Sequence, residues 1–353
     1  MAATALALAL YGVVCIHSAG LHNADAVNEW RKQLGYIGIG VVLMAIFAAI
    51  DYHKWQRWAF GLYTANFLLL GIVAVGGRSA LGAQRWINIG PFQFQPSEPA
   101  KLILAICVAA LIARTPAVRW REVGIAIGAI IVPALLILKQ PDLGTALVIF
   151  AILTAELFFG VTKMRYFAAY VAVTVALGAF VVGTKYVLRP FQRNRLLVFL
   201  HPDADPQGAG WNLNQSKIAV GSGGLFGKGL FHGTQTQLHF VPESSRDFVF
   251  TVIGEELGYV GALWLIALYA VLLFGAVRAL LAAGDRFGVL LAAGLIAMLV
   301  FHITINIGMT VGIMPVTGIP LPFISYGGTA ILTDFAAIGI LLNIHVQRDK
   351  LVF

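Results

Sequence analysis

An aspartate set where a polar stretch runs into an apolar one is the residue here best placed for acid–base chemistry. Asp247 follows Ser244 and Ser245 and precedes Phe248, Val249, Phe250 and Val252. A carboxylate at such a point can take the proton of a hydroxyl as that hydroxyl attacks. It can also simply complement a helix dipole, worth about 0.3–1 kcal/mol. Upstream and beside it stand Arg193, Arg195, Lys217, Lys228 and Arg246. Arginine recognises phosphate bidentately, so as a group these cations suit a phosphate ligand, whereas any one alone reads equally as solvated loop charge. Glu98 and Lys101 are three apart at a helix start, share a face and can pair. Ser97 fits the N-cap and Pro99 the first turn. The pair is either a structural bridge or the lining of a cavity, because ionisable groups at membrane depth usually face a bundle interior. Glu255 and Glu256 fall eight and nine residues beyond Asp247, about 12 to 13.5 Å along a continuous helix. They could bind a cation or relay protons, but the structural reading, pairing with Lys139 or bonding a neighbouring helix, ranks first, and the same holds for Glu156, Asp334 and His302.

The elements that position these residues are set by composition. Of 353 residues 59% are hydrophobic and 11% charged, against about 25% charged in a soluble domain. Apolar runs of membrane-spanning length follow one another nearly end to end, at about 2–20, 33–50, 58–76, 97–113, 122–138, 142–160, 166–187, 248–277, 287–312 and 328–346. The expected fold is therefore an all-α integral membrane protein of about ten transmembrane helices, a single polytopic domain over 1–353. The first span lacks a basic n-region and a small-residue cleavage site, so it is not read as a cleaved signal peptide. With both termini cytoplasmic, the inner segments hold Lys54, Arg57, Arg114, Arg119, Arg121, Lys163, Arg165, Arg278, Arg286, Arg348 and Lys350. The short outer loops then hold only Arg31, Lys32, Arg78, Arg85 and Lys139, the bias cytoplasmic loops show.

Two outer segments break the rhythm. Residues 76–98 mix Gly and Pro turns with Trp86, Phe92 and Phe94 at interfacial depth. A long outer loop, about 188–247 between spans seven and eight, is expected to carry short amphipathic helices at the interface. Net charge is +8, without the aromatic-interleaved basic stripe of a nucleic-acid binder; an anionic lipid or phosphate partner fits better. Cys15 and Cys107 lie within spans as packing residues, and no zinc spacing is present among the histidines.

Four segments carry a resemblance: WINIGPFQFQPSEPAK (86–101), KQPDLGTAL (139–147), GWNLNQSKIAVGSGGLFGKG with VPESSRDFVFTVIGEELGYVG (within 210–261), and NIGMTVGIMPVTGIPLPFISYGG (306–328). In this order between ten spans, the chain resembles the SEDS (shape, elongation, division, sporulation) family of peptidoglycan glycosyltransferases over nearly its whole length. The GTQTQLHFVPE stretch places it nearest the rod-shape elongation branch.

That resemblance implies polymerisation of lipid II at the outer face of the bacterial cytoplasmic membrane, with undecaprenyl pyrophosphate as the leaving group. It matches Asp247 to the aspartate considered essential for polymerisation, here the general base. Glu98 and Lys101 are then expected in the substrate cavity beside Asp247. Arg193, Arg195, Lys217, Lys228 and Arg246 become candidate pyrophosphate contacts. No tightly bound cofactor is expected, a divalent Mg or Mn ion being the alternative neutraliser of the leaving group, and no residues are assigned as its ligands. The implied partners are a class B penicillin-binding protein and other elongation-complex membrane proteins. Residues 312–328, with three prolines, cannot form one regular helix and are expected to line protein or a wet cavity. Two rival readings remain: a lipid II flippase, which would need a polar route across the bilayer, and a non-catalytic scaffold that recruits the penicillin-binding protein.

Overall fold

In a bilayer each spanning segment must satisfy its own backbone, and the apolar runs do so as helices. The computed structural model describes all residues except 24–25, 77, 81–82, 91, 185–189, 201–207 and 348–353; Leu188, Arg348 and Lys350 thus lie outside the described residues. Among the described residues, ten helices of 17 to 26 residues match the ten expected spans: α1 (Ala2–Gly20), α2 (Glu29–Ala49), α3 (Tyr52–Gly76), α4 (Ser97–Ala113), α5 (Trp120–Lys139), α6 (Leu143–Gly160), α7 (Met164–Gly183), α12 (Gly258–Ala282), α13 (Arg286–Val311) and α14 (Gly328–Gln347). Eight are long and apolar enough to cross a membrane; α3 and α4 are the other two. Between α7 and α12 the outer loop forms the expected short helices: α8 (Pro190–Leu200), α9 (Ala209–Ser222), α10 (Thr234–Gln237) and α11 (Val249–Glu256).

Two details differ from expectation. The eighth span is interrupted at Leu257, so α11 is a separate eight-residue helix, every residue of it buried, and the spanning helix begins at Gly258. Gly258 has φ +65°, and a Cβ there would overlap the Gly227 backbone, so the break needs glycine on both counts. Residues 78–94 also form a small antiparallel sheet in the order β1 (Arg78–Ala80), β2 (Ala83–Ile89), β3 (Phe92–Phe94). In its β2–β3 hairpin Ile89 pairs with Phe92 and Gly90 has φ +62°.

The chain divides into two compact units. The first comprises Met1–Leu43, Pro190–Gly275 and His302–Phe335; the second comprises Met44–Arg189, Ala276–Phe301 and Ala336–Phe353.

In the first unit, Val198 of α8, Leu213 and Ala219 of α9, Val241, Phe248, Met309 of α13 and Val316 form one buried cluster. It fixes the outer-loop helices to the 312–327 segment. That segment is irregular, as its prolines require, and Leu321, Phe323 and Ile324 within it are buried.

In the second unit α4 packs against α3 and α6, and α6 against α5. Arg286 joins two helix ends, its Nη1 donating to Thr115 O (2.6 Å) and its Nη2 to Gly160 O (2.7 Å). A cation at helix C-termini satisfies carbonyls that have no intrahelical partner. Arg286→Ala is expected to cost roughly 2–3 kcal/mol, the scale of charge-assisted bonds, read as a lower Tm in detergent, with Arg286→Lys recovering part of it.

Candidate active site

The segment 243–247 is held from three sides. Phe248 anchors it in the buried cluster, and burying one such side chain contributes about 1.5–3 kcal/mol. From α13, Asn306 Nδ2 donates to Asp247 O (2.8 Å) and to Ile319 O (2.7 Å). From the 312–327 segment, Ser325 Oγ donates to Arg246 O (2.6 Å) and Tyr326 N donates to Ser245 O (2.8 Å). From α2, Glu29 accepts from Ser245 Oγ (2.7 Å) and from Arg246 Nη2 (3.3 Å). The main chain of Asp247 is thus fixed by partners other than its carboxylate.

That carboxylate, half-buried, lies over Gly318. A Cβ on Gly318 would stand 3.2 Å from Asp247 Oδ2 and 3.3 Å from Arg195 Nη1. Carboxylate and guanidinium therefore both border a residue with no side chain, in a backbone conformation (φ +73°) that glycine adopts freely. Gly318→Ala adds a methyl between them in a strained geometry. It is expected to lower turnover severalfold with little change in yield of folded protein, checked by polymerisation rate at equal monodisperse protein.

The other candidate cations fall in different places. Arg246 is engaged by Glu29 and by Glu243 (3.4 Å), with its guanidinium 5.6 Å from the Tyr326 ring centre. Burial works to lower its pKa, but the two carboxylates outweigh this and raise it above the usual arginine value. Lys217 of α9 lies across Gly312 at the start of the irregular segment, and the neighbouring Ser216 Oγ donates to Thr310 O (2.7 Å). Arg193 is half-buried on α8, two residues before Arg195.

Lys228 belongs to a second polar cluster, formed by Glu255 and Glu256 at the end of α11. Glu255 accepts from Lys228 Nζ (2.7 Å), Thr234 Oγ1 (3.2 Å), Gln235 N (2.8 Å), and Thr236 N and Oγ1 (3.1 Å each). Glu256 accepts from Ser18 of α1, Phe231 N (3.1 Å) and Gly233 N (3.4 Å). The partner of Glu255 is thus Lys228, where the sequence suggested Lys139. The two carboxylates clamp the 228–237 loop. Burial raises the Glu255 pKa, but Lys228 and the Gln235 and Thr236 amides hold it below its ordinary 4.5. A lowered folded-state pKa means the clamp contributes fully above pH 4.5 and is lost as pH falls through the folded value. Protease cleavage within 228–237 is expected to accelerate only below about pH 4.5, and a pH-independent rate would contradict this assignment.

Glu98 and Lys101 lie on α4 in the second unit. Lys101 Nζ donates to Glu98 Oε2 at 2.9 Å, with their side chains 1% and 7% exposed. Ser97 is the first helical residue rather than the N-cap, and its hydroxyl donates to Asp142 Oδ2 (3.3 Å). Asp142 itself caps α6 by accepting from Thr145 N (3.1 Å) and Thr145 Oγ1 (2.9 Å). The 86–101 and 139–147 segments are thereby tied together. Among the described residues no group of three or more His, Cys, Asp or Glu side chains is placed to hold a metal ion.

Glu29, Asn306, Gly318 and Ser325 were not singled out in the sequence. Asn306, Gly318 and Ser325 lie inside the 306–328 segment, whose turn residues were the available signal, while nothing local marks Glu29.

Residues 1–350 match the family model described as FTSW_RODA_SPOVE, cell cycle protein. The chain is 40% identical over 349 residues to peptidoglycan glycosyltransferase MrdB of Escherichia coli K12, covering 98% of this chain and 92% of that protein. It is 32% identical to peptidoglycan glycosyltransferase RodA of Treponema pallidum, covering 98% and 96%. Among solved structures, a chain from a study of polymerisation and crosslinking by a peptidoglycan synthase complex superposes with TM-score 0.83 at 30% identity, covering 98% and 97%. The crystal structure of Thermus thermophilus rod shape determining protein RodA superposes with TM-score 0.72 at 29% identity, covering 98% and 95%.

Proposed function

Since the chain belongs to the FtsW/RodA/SpoVE family, we propose that it is a multi-pass membrane glycosyltransferase that polymerises lipid II into peptidoglycan glycan strands, acting in the elongation branch. The observation that carries the chemistry is the convergence of Asp247 and Arg195 on Gly318. Asp247 takes the proton of the acceptor sugar's 4-hydroxyl as its oxygen attacks the anomeric carbon of the donor. The bond to pyrophosphate breaks as the β-1,4 bond forms, with inversion. A pyrophosphate leaving group needs charge neutralisation more than protonation, so one carboxylate suffices. Arg195, with Arg193, Lys217 and Arg246 on the same unit, provides that positive field, and Arg195 borders Gly318 together with the base. Lys228 contributes through the loop that Glu255 holds. Glu98 and Lys101, a buried charged pair of the kind that lines polar cavities in membranes, are assigned to substrate binding. The reaction as assigned uses no resident cofactor, and any Mg or Mn ion would arrive with the pyrophosphate.

The proposed setting is the bacterial cytoplasmic membrane, with both termini cytoplasmic and Asp247 facing outward, which the Lys and Arg bias between loops supports. A class B penicillin-binding protein is the proposed partner, as are other membrane proteins of the elongation complex. The test is glycan-strand formation from purified lipid II by this protein with a cognate class B penicillin-binding protein. Polymer supports the enzyme; lipid II translocation without polymer would favour the flippase reading, and polymer made equally by the partner alone would favour the scaffold.

A further inference from the structure

Two features of the second unit converge at one end of α6. The first is an apolar groove. The buried residues of α7 are Tyr166 and Tyr170, whereas Val173, Val175, Leu177, Phe180 and Val182 are exposed. The helix leans on its neighbours through its first two turns. An open groove of about 550 Å³ remains beside α6, lined by Leu147, Phe150, Thr154, Phe158, Phe167 and Phe301 among others. From Leu147 to Phe158 a helix rises about 16 Å, close to half the roughly 30 Å hydrocarbon core of a bilayer.

The second feature is a basic mouth at the Phe158 end. Thr162 N donates to Val118 O (3.2 Å), and the Trp120 and Tyr166 rings meet edge to face at 4.8 Å. Arg165 lies over the Tyr166 ring at 5.0 Å and bonds its hydroxyl at 3.1 Å. These contacts zip the α4–α5 connection against the α6–α7 connection. They bring Arg119 and Arg121 beside Lys163 and Arg165, all four exposed. Glu122 is the one acid in 114–123 and 161–167, and it accepts from the backbone N–H of Arg119 (2.9 Å). Like charges gathered this way repel unless an anion sits among them.

We propose that groove and mouth together bind an anionic glycerophospholipid of the surrounding bilayer. Its phosphate would sit among Arg119, Arg121, Lys163 and Arg165, and one acyl chain would lie along α6. Basic clusters flanked by interfacial aromatics recognise such headgroups, and an apolar groove opening beneath them suits the attached chain. This site uses none of the residues assigned to polymerisation, so it stands or falls apart from that assignment.

The test is native mass spectrometry of the delipidated, detergent-solubilised protein, titrated with dioleoyl phosphatidylglycerol or dioleoyl phosphatidylcholine. The expected result is at least about tenfold tighter binding of phosphatidylglycerol, driven by charge attraction to the basic cluster. Arg121→Ala with Lys163→Ala should bring it down to the phosphatidylcholine value, and Ala155→Trp, which fills the groove, should weaken both lipids. Equal affinity for the two lipids on the native protein would overturn the proposal without recourse to any variant. So would a phosphatidylglycerol preference untouched by both variants. Displacement of phosphatidylglycerol by equimolar undecaprenyl phosphate would assign the groove to a polyprenyl chain and overturn it as well.

Discussion

Asp247→Asn is expected to reduce glycan-strand formation from lipid II by at least about 100-fold, the lower range of what a positioned general base contributes. Asparagine keeps the shape and hydrogen-bonding reach of the side chain but cannot accept the proton at neutral pH. Folding should be spared, because the bonds from Asn306 to the Asp247 carbonyl and from Ser325 to the Arg246 carbonyl involve main-chain acceptors that the substitution leaves in place. The variant should therefore elute and melt like the native protein while making no polymer above background. Asp247→Ala should behave the same way. Normal polymer from both variants would remove Asp247 from the chemistry; loss of activity together with loss of the native melting transition would move it to a structural role.

Glu255→Ala is expected to have the largest effect on stability. It leaves five donor groups of the 228–237 loop, the Lys228 ammonium among them, without this acceptor. Removing one member of a buried pair costs about 3–5 kcal/mol. Lys228 is 26% exposed and recovers some hydration, so the lower figure, about 3 kcal/mol, is the expectation. The readouts are a Tm lower by several degrees and rapid protease nicking between residues 228 and 240. Glu255→Gln, which retains one acceptor oxygen, should fall between. A variant with native Tm and native protease resistance would show that the clamp contributes nothing. Because Asp247 precedes α11, an activity loss in Glu255→Ala that the Gln variant largely restores would mean the loop's docking supports the site.

Ten spans were legible because membrane helices advertise themselves by length and apolarity, a signal independent of packing. Their ends were not. The hydrophobic run through Phe248–Leu257 continues into α12, so nothing in composition reveals the break that Gly258 introduces. Only the loop donors that reach Glu255 and Glu256 explain why two acids are tolerated there. The small sheet was also missed. β2 (AQRWINI) alternates apolar and polar only over Ile87, Asn88 and Ile89, and so short a pattern competes poorly with the Gly and Pro around it. At the site, Asp247 and Arg195 were both recognisable by residue type. Their convergence on Gly318 was not, since 52 residues separate them and the glycine that admits both carries no chemistry of its own. Lys228 looked as available as Arg195 in the sequence, and only the tertiary arrangement shows it bound to Glu255.

Asn306 spends both of its amide protons on main-chain carbonyls, one beside the candidate base and one beside the glycine beneath it. The position therefore discriminates by polarity of the hydrogen-bonding group rather than by size. Aspartate, its nearest isostere, would point an oxygen at two oxygens and is expected to be tolerated less well than the smaller alanine. Since the helix gives the Asn306 side chain no solvent exposure, water cannot step in as an adaptor. A mutational scan at this codon should thus place aspartate below alanine, an ordering opposite to the usual expectation that chemical similarity protects function.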